Sequence, residues 1–488
     1  MAAGKRAKTA ARRNKQGAPR WQLEEAIRGA GLLAYQGDLD GAFAVLRDAR
    51  GRVRSSKGRE VLRVAWHATA SRQMALQQWE QAITFYDAGV ATYRDGDETD
   101  RVALMANERG YCLHQLGRLD DAEASCRRAQ DLHVAAQRRD GAAGALYNLC
   151  GIVFDRGRIS EAVALASEAV TISRETGNRR DEAFHLYALA RSHYERGDLH
   201  EAELAAKAGA PIARDLALGP VEANFENMLA NIALDDHRLD EAEAHYDRAR
   251  PLFRDAGLPN HEAITIANLG NVAHERGELD VALRRFGKAL RLHDAAGDQR
   301  SRAIVLTTRA DVRIEQRRYD AAMRDLEEAL GILVRIGHER RASFVRLGFA
   351  KVAEERGELA VARAHYAEAE MAFEAVADRV QIKRMLYAFA GLQAELGDVG
   401  GAETLLARAD GEADAARERP GAAVMRVLRE LAVARIAAAR GACTEAAAAL
   451  AAIERAHDSL VPRSSEVRRV AERLRVRCAP VATTAAAR

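Results

Sequence analysis

The chain has 488 residues, a length that would predict about three domains in an ordinary globular protein. Aromatic residues make up only 5% of it and proline occurs eight times, whereas charged residues reach 30%. This composition favours long amphipathic helices over a large sheet, because strands are rich in β-branched and aromatic side chains. The hydrophobic fraction of 48% is sufficient for a continuous core and excludes a wholly disordered chain.

Residues 1–20 contain seven Lys or Arg and no acid, so the rest of the chain carries a charge of −4 although the total is +3. We expect a disordered, solvated tail here and a second disordered tail at 479–488. Contact with nucleic acid through counterion release is the alternative for residues 1–20, and no other part of the chain is expected to bind it. The absence of a signal peptide or a long apolar run predicts a cytoplasmic protein without a membrane partner. The five cysteines contain no C-x-x-C pair, which argues against disulfides and zinc.

A 40-residue repeat follows, over residues 21–460. Each copy has an anchor residue, an Ala five positions after it, and a Gly, Ala or Cys seven positions before it. The small residues at these two positions predict two helices that cross closely, with a left-handed turn at the anchor. Only the last spacing is 44 residues rather than 40. The anchors are Gly37, Gln77, Gly117, Gly157, Gly197, His237, Gly277, Arg317, Gly357, Gly397 and Gly441.

A second turn lies about twenty residues after most anchors, marked for example by Gly177, Gly257 and Gly297. Large apolar residues such as Tyr246 and Phe286, nine positions after the anchor, cannot be buried by one unit alone. Neighbouring units must therefore stack into a solenoid of about eleven helical hairpins. We expect a capping helix at 461–478, with Val467, Val470 and Leu474 on one face.

The columns of this repeat resemble the tetratricopeptide repeat: a small residue at the eighth position of the first helix, Gly at the turn, and Ala-x-x-x-aromatic-x-x-Ala in the second helix. Residues 147–169 and 267–289 match that pattern almost throughout. Copies of 40 residues are most similar to those of spindle G-protein modulators, kinesin light chains and bacterial regulatory proteins. The resemblance implies an all-α, right-handed superhelical solenoid whose first helices line a concave groove. HEAT repeats have a similar length, but the constant distance from anchor to Ala argues against them.

The sequence contains no P-loop, dinucleotide-binding glycine motif, H-E-x-x-H or G-x-S-x-G. No His cluster has the spacing of metal ligands or of a catalytic group with its partners. We therefore expect no catalytic residue, no metal and no cofactor, and a protein that is not an enzyme.

The resemblance implies that the fifth and ninth positions of each first helix face the groove. Asn and Tyr dominate there and can hydrogen-bond a peptide backbone; the alternative is a solvated wall. No copy has Lys at the fifth position, as chaperone-tail receptors of this family do, which argues against a chaperone adaptor. Asn148 and Asn268, at the sixth position, are expected to be structural. The candidate contacts are Asn107, Tyr111, Tyr147, Tyr187, Arg191, Asn227, Asn231 and Asn271.

An acid lies two residues before the anchor in seven consecutive copies, at the expected lip of the groove. A continuous negative band would attract a basic or amphipathic segment. The alternative is a solvated stripe paired with Arg156, Arg196, Arg276 and Arg356. The acids are Asp155, Glu195, Asp235, Glu275, Glu315, Glu355 and Glu395.

Two functions fit these observations. The first is a protein-binding scaffold or adaptor that holds an extended or helical, basic segment of a partner in the groove. The second is a signal- or peptide-responsive regulator that acts on a kinase or transcription effector in trans. The segments outside the repeats are too short for an effector domain, which favours the scaffold.

Overall fold

The structure is a computed structural model, and it describes residues 29–53, 56–93, 99–375, 379–412, 421–457, 470–475 and 478. Throughout these ranges the regular secondary structure is α-helical, with no strand. None of the helices in this described part combines the length and apolarity that crossing a membrane requires.

The chain forms two compact units, residues 1–196 and 197–488. The first contains α1 Leu39–Arg52, α2 Ser56–Ala75, α3 Trp79–Val90, α4 Thr99–Gln115, α5 Leu119–Ala135, α6 Arg139–Asp155, α7 Ile159–Thr176 and α8 Arg179–Arg196. The second contains α9 Leu199–Asp215, α10 Gly219–Asp235, α11 Leu239–Asp255, α12 Pro259–Glu275, α13 Leu279–Ala296, α14 Gln299–Glu315, α15 Tyr319–Arg335, α16 Glu339–Glu355, α17 Leu359–Ala375, α18 Arg379–Glu395, α19 Val399–Gly411, α20 Gly421–Ala439 and α21 Cys443–His457. Within each unit the helices pack as consecutive antiparallel hairpins, which confirms the predicted solenoid architecture.

The turn inside each hairpin is left-handed at the anchor, as predicted. The eight anchor glycines have φ between +73° and +95°. Around Gly117, for example, the N–H groups of the anchor and the next residue bond to carbonyls of the last helical turn at 2.9 and 3.0 Å. Gln77, His237 and Arg317 adopt the same conformation, with φ of 58–59°, although they carry side chains. The hairpin therefore imposes this geometry even where the residue disfavours it.

The two helices of a hairpin approach most closely at the two positions that are occupied by small residues. The Ala five residues after each anchor is at most 1% exposed in all eleven copies. Seven residues before the anchor, a Cβ added to Gly110 would lie 2.3 Å from Cys126 Sγ, and one added to Gly270 would lie 2.7 Å from Phe286 Cε1. The small residue of the first helix is thus covered by the large residue nine positions after the anchor, and no space remains for a longer side chain.

Polar pairs 36 residues apart join the second helix of one repeat to the first helix of the next. The donor is the residue just before an anchor, and the acceptor is the Asp three residues after the preceding anchor. Such exposed pairs each add little free energy, but their recurrence fixes one register between repeats. They are Arg156 with Asp120, Arg276 with Asp240, Gln316 with Asp280 and Arg356 with Asp320.

A buried ionic cluster joins the last repeats. The Arg435 side chain on α20 is only 5% exposed, and its guanidinium lies 2.6 Å from Glu354 on α16 and 3.0 Å from Glu395 on α18. The Tyr366 hydroxyl donates a further hydrogen bond of 3.1 Å to Glu354. Burial opposes the charge on Arg435, but the two carboxylates outweigh it and raise the pKa of Arg435.

The predicted capping helix is described only in part. Residues 470–475 are helical, and Val470 and Leu474 are buried in a cluster with apolar residues of α20 and α21. The rest of 461–478, including Val467, lies outside the described residues, as do both predicted tails at 1–20 and 479–488.

We predict that Ala217→Gly stabilises the protein. Ala217 has a φ of +51° and is exposed, so glycine would relieve the left-handed strain without loss of packing. The expected gain in unfolding free energy is about 0.5–1 kcal/mol, after the larger entropy of the unfolded glycine chain is included. Chemical denaturation measures it. Ala136→Gly is the control, because φ there is −82°, and this control should show no gain.

We predict that Ala242→Leu destabilises the protein by about 1–3 kcal/mol, because Ala242 is fully buried at a hairpin crossing. A thermal melt followed by circular dichroism measures the change. A variant that melts like the parent would show that this crossing is not closely packed.

We predict that Arg435→Leu lowers the unfolding free energy by about 3–5 kcal/mol, because it leaves two carboxylates in a buried site without their cation. Arg429→Leu is the matched control: Arg429 is 42% exposed and pairs with Asp410 at 3.0 Å, so its loss should cost at most about 1 kcal/mol. Equal losses in the two variants would contradict the structural role assigned to Arg435.

Candidate functional site

The first helices of successive repeats contact one another directly. In residues 1–196 α2 contacts α4, α4 contacts α6, and α6 contacts α8; in residues 197–488 the same holds for α12, α14 and α16. The first helices therefore form a layer of their own in each unit, which we call the first-helix layer. Residues at equivalent positions of adjacent repeats lie side by side in it.

Five of the candidate groove residues line one cavity in the first-helix layer of residues 1–196. The cavity has a volume of about 170 Å³ and is open to solvent between α4, α6 and α8. Each of the three helices contributes a tyrosine, and α6 and α8 each contribute a charged residue. Its lining is Tyr111, His114, Gln115, Tyr147, Asn148, Cys150, Gly151, Asp155, Tyr187, Ala188 and Arg191. We call it the tyrosine pocket.

The three tyrosines present both rings and hydroxyl groups to the pocket. Tyr111 is 37% exposed and packs edge-to-face on Trp79, with ring centroids 5.9 Å apart. Tyr147 packs against the ring of His185 at 5.5 Å. Burial raises the pKa of Tyr147 and Tyr187, so both stay protonated at neutral pH. Their hydroxyl groups can therefore donate as well as accept hydrogen bonds.

Arg191 supplies the positive charge of the pocket. Its guanidinium carbon lies 3.9 Å from the centroid of the Phe154 ring, which supports one face of the group. The charge of Arg191 opposes the larger effect of burial on the pKa of Tyr147 and Tyr187, and all three residues line the pocket. By contrast, Arg158 in the same unit forms ion pairs with Glu123 and Glu161.

Asp155 is bound within the pocket by a histidine from the preceding repeat. His114 Nε2 lies 2.7 Å from an Asp155 carboxylate oxygen, and the two residues are 41 positions apart. Gly151 makes room for this imidazole, because a Cβ there would lie 3.3 Å from His114 Cε1. His274 and Glu315 repeat the arrangement on α12 and α14 at 3.0 Å.

The candidate asparagines form hydrogen bonds between repeats. Asn148 Nδ2 donates to Asn107 Oδ1 at 2.9 Å. Asn231 Oδ1 accepts from the Tyr246 hydroxyl at 2.5 Å and from Asn268 Nδ2 at 3.4 Å. The structural role expected for Asn148 and Asn268 is therefore confirmed.

The remaining asparagines lie on α10 and α12 in residues 197–488. Asn227 Oδ1 accepts a hydrogen bond of 3.5 Å from Thr265. Asn271 Oδ1 is shielded from solvent, and no partner for it occurs in the described part of the chain. Asn271 Oδ1 is therefore not accessible to a ligand in this conformation, and any contact of Asn271 with a partner would have to use its amide NH₂ group.

The acidic column is not uniform. Glu195 and Asp235 are exposed, whereas burial raises the pKa of Glu275 and so favours its neutral form. Asp155 and Glu315 bind histidines. The arginines that sequence offered as partners, Arg156, Arg276 and Arg356, bind the Asp residues of the preceding repeats described above.

Sequence analysis did not single out His114, which lines the tyrosine pocket, or Phe154, which packs against Arg191. The distance of 41 residues between His114 and Asp155 was a usable signal, because a period of 40 places such residues on adjacent first helices. Phe154 points to Arg191 across a similar separation, but no column pattern marks it.

Comparison with known proteins places these features in a family. The tetratricopeptide repeat profile matches residues 141–215, 221–295 and 263–335. The comparison with curated proteins gave no match.

Three solved structures illustrate the similarity in fold. The apo form of the quorum sensor NprR from B. thuringiensis has 14% identity and a TM-score of 0.55, over 72% of this chain and 98% of its own. A Rap protein complexed with competence and sporulation factor has 13% identity and a TM-score of 0.52, over 71% and 96%. A signal transduction ATPase with a tetratricopeptide repeat sensor, from Pyrococcus horikoshii, has 14% identity and a TM-score of 0.53, over 74% and 54%.

At such identities these similarities concern the fold alone. They agree with the profile match, with the consecutive hairpins and with the constant geometry of the anchor turns, and HEAT repeats are no longer needed as an alternative. Residues 141–215 and 221–335 of the chain therefore belong to the tetratricopeptide repeat family.

Proposed function

We propose that this chain is a non-enzymatic interaction protein that binds an extended or helical segment of a partner protein along its first-helix layer. The tyrosine pocket is the principal contact. The observation that carries the proposal is the convergence of Tyr111, Tyr147, Tyr187 and Arg191 from three successive first helices on one open cavity.

The chemistry of this pocket suits a peptide. Tyrosine rings offer contact area with little loss of side-chain entropy, and their hydroxyl groups can bond the main chain of a bound segment. Arg191 adds a directional donor group that is already held against Phe154. Catalysis is not part of the proposal. Burial raises the pKa of the Cys150 thiol in the lining, and His114 binds Asp155 rather than this thiol, so no activated nucleophile is present in the pocket as described.

The first-helix layer of residues 197–488 offers a second set of polar groups to a partner segment. Asp235 is exposed, and Asn227, Asn231 and Asn271 follow one another on α10 and α12. Exposed acids there would attract basic side chains of the partner, and the amides would bond its main chain.

A second function is favoured by the comparisons. NprR is a quorum sensor, and the Rap structure contains a competence and sporulation factor. By analogy of fold, this chain would be a cytoplasmic, peptide-responsive regulator that alters a separate kinase or transcription effector. This analogy supports only the class of function, because identity to both proteins is below 15%.

We predict that Tyr187→Ala weakens peptide binding at least tenfold. Random dodecapeptides displayed on phage would be selected on the full chain, and the affinity of the best synthetic peptides would be measured by fluorescence anisotropy. Removal of a buried aromatic ring from a binding pocket accounts for a change of this size. Val134→Ala is the control, since Val134 is 63% exposed on the second helix α5. Peptides that bind both variants equally well would exclude the tyrosine pocket.

Hydrogen exchange with and without the selected peptide separates the two functions. A scaffold should gain amide protection only around α4, α6 and α8. A regulator should also change its protection in hairpins that lie outside the pocket, because ligand binding would shift the packing between repeats.

A further inference from the structure

We infer that Arg191 binds a carboxylate of the partner segment, supplied by an Asp or Glu side chain that enters the tyrosine pocket. This inference rests on the proposed function and names the chemical group that the pocket selects.

The guanidinium of Arg191 has donors to spare. It carries five N–H groups, and it forms no ion pair or hydrogen bond with any residue in the described part of residues 1–196. Its guanidinium carbon lies over the Phe154 ring, 3.9 Å from the centroid, and this contact uses none of its N–H donors in a conventional hydrogen bond. Tyr147 and Tyr187 line the same cavity, and the Tyr147 hydroxyl can provide a further donor.

The protein contains a second arginine in the same column, and that arginine holds carboxylates. Arg435 lies six residues before the anchor Gly441, as Arg191 lies six residues before Gly197. Its guanidinium binds Glu354 at 2.6 Å and Glu395 at 3.0 Å. An arginine at this position of the first-helix layer is therefore placed to receive two carboxylates from the two preceding repeats.

Of the two corresponding residues in the repeats before Arg191, one is again an acid and the other is not. Glu395 lies two residues before its anchor and corresponds to Asp155, whereas Glu354 lies three residues before its anchor and corresponds to His114. The imidazole of His114 replaces one carboxylate and holds the other, because its Nε2 lies 2.7 Å from Asp155. Arg191 thus lacks the two carboxylate partners that Arg435 has, and its N–H groups can bind a carboxylate from a ligand.

A side-chain carboxylate fits this position better than a chain terminus. The first-helix layer continues past the pocket, since α2 contacts α4 in the same way that α4 contacts α6. A segment that follows the layer would cross the pocket and continue, so an internal residue would lie over it. The volume of about 170 Å³ matches one inserted side chain. Both carboxylates that bind Arg435 are also side chains.

The experiment uses the full chain and a library of hexapeptides with acetylated N-termini and amidated C-termini. Each sublibrary has Glu, Asp, Gln, Asn or Lys fixed at one position and a mixture elsewhere. The peptides that the immobilised protein retains are quantified by mass spectrometry. We expect the Glu or Asp sublibrary at one position to be retained about tenfold or more above its Gln or Asn counterpart, as for a hydrogen bond to a charged group.

Two variants should abolish this preference by different routes. Arg191→Gln removes the cation. His114→Glu restores the pair of carboxylates found beside Arg435, so that the protein itself would occupy Arg191. Arg128→Gln is the matched control, because it removes an exposed arginine from the second helix α5. Thermal melts of all variants verify that they remain folded.

The outcomes separate this inference from the proposed function. An acidic preference that persists in Arg191→Gln overturns the inference, as does a preference for Lys. If the protein binds acidic and amide peptides equally well, but binding is lost in Tyr187→Ala, the inference is overturned while the peptide-binding function remains supported. If Arg191-dependent retention occurs only in a parallel library whose peptides have free C-termini, the site binds a terminal carboxylate. The inference that it binds an Asp or Glu side chain is then overturned. If no peptide is retained in a way that depends on Tyr187 or Arg191, both proposals are overturned.

Discussion

The closeness of the helix crossing in each hairpin is the constraint on which the rest of this structure depends. An Ala five residues after the anchor and a small residue seven before it bring two helices together, and the large residue at position nine after the anchor covers the crossing. The turn between two helices this close together has a left-handed residue at the anchor. Arg317 adopts this conformation although it carries a side chain. The same crossing in every copy gives each repeat the same spacing to the next.

Because the spacing is constant within each unit, residues at equivalent positions of adjacent repeats lie next to one another. Residues 36 positions apart meet between helix layers, and residues 41 positions apart meet within the first-helix layer, as His114 and Asp155 do. Asparagines that could bind a ligand are consequently drawn into bonds between repeats, as Asn107 and Asn231 are. Part of the polar character of the first helices therefore stabilises stacking, and only the remainder is available for recognition.

The hairpins, the left-handed anchors and the small crossings were all predictable from the sequence, because each is a local consequence of a column. The convergence of Tyr111, Tyr147 and Tyr187 was predictable as well, since it follows from equal spacing. Individual pairings were not predictable. Whether Asp155 binds the neighbouring arginine or a histidine one repeat earlier depends on side-chain direction and on the offset between helices, and neither is encoded in a column of residue types.

Arg191 and Arg435 occupy the same column, and we assign a structural role to Arg435 and propose a role in recognition for Arg191. Arg435 is almost fully buried, and a cation there is stable only because two carboxylates compensate for its missing hydration. Arg191 is only partly buried, so water can compensate for the missing carboxylates until a ligand arrives. In the proposed complex a ligand carboxylate must offset the removal of that water, and the Tyr147 phenol would reduce this cost by supplying a donor already in place. Partial exposure is thus the physical condition that allows the position of Arg191, unlike that of Arg435, to act in binding.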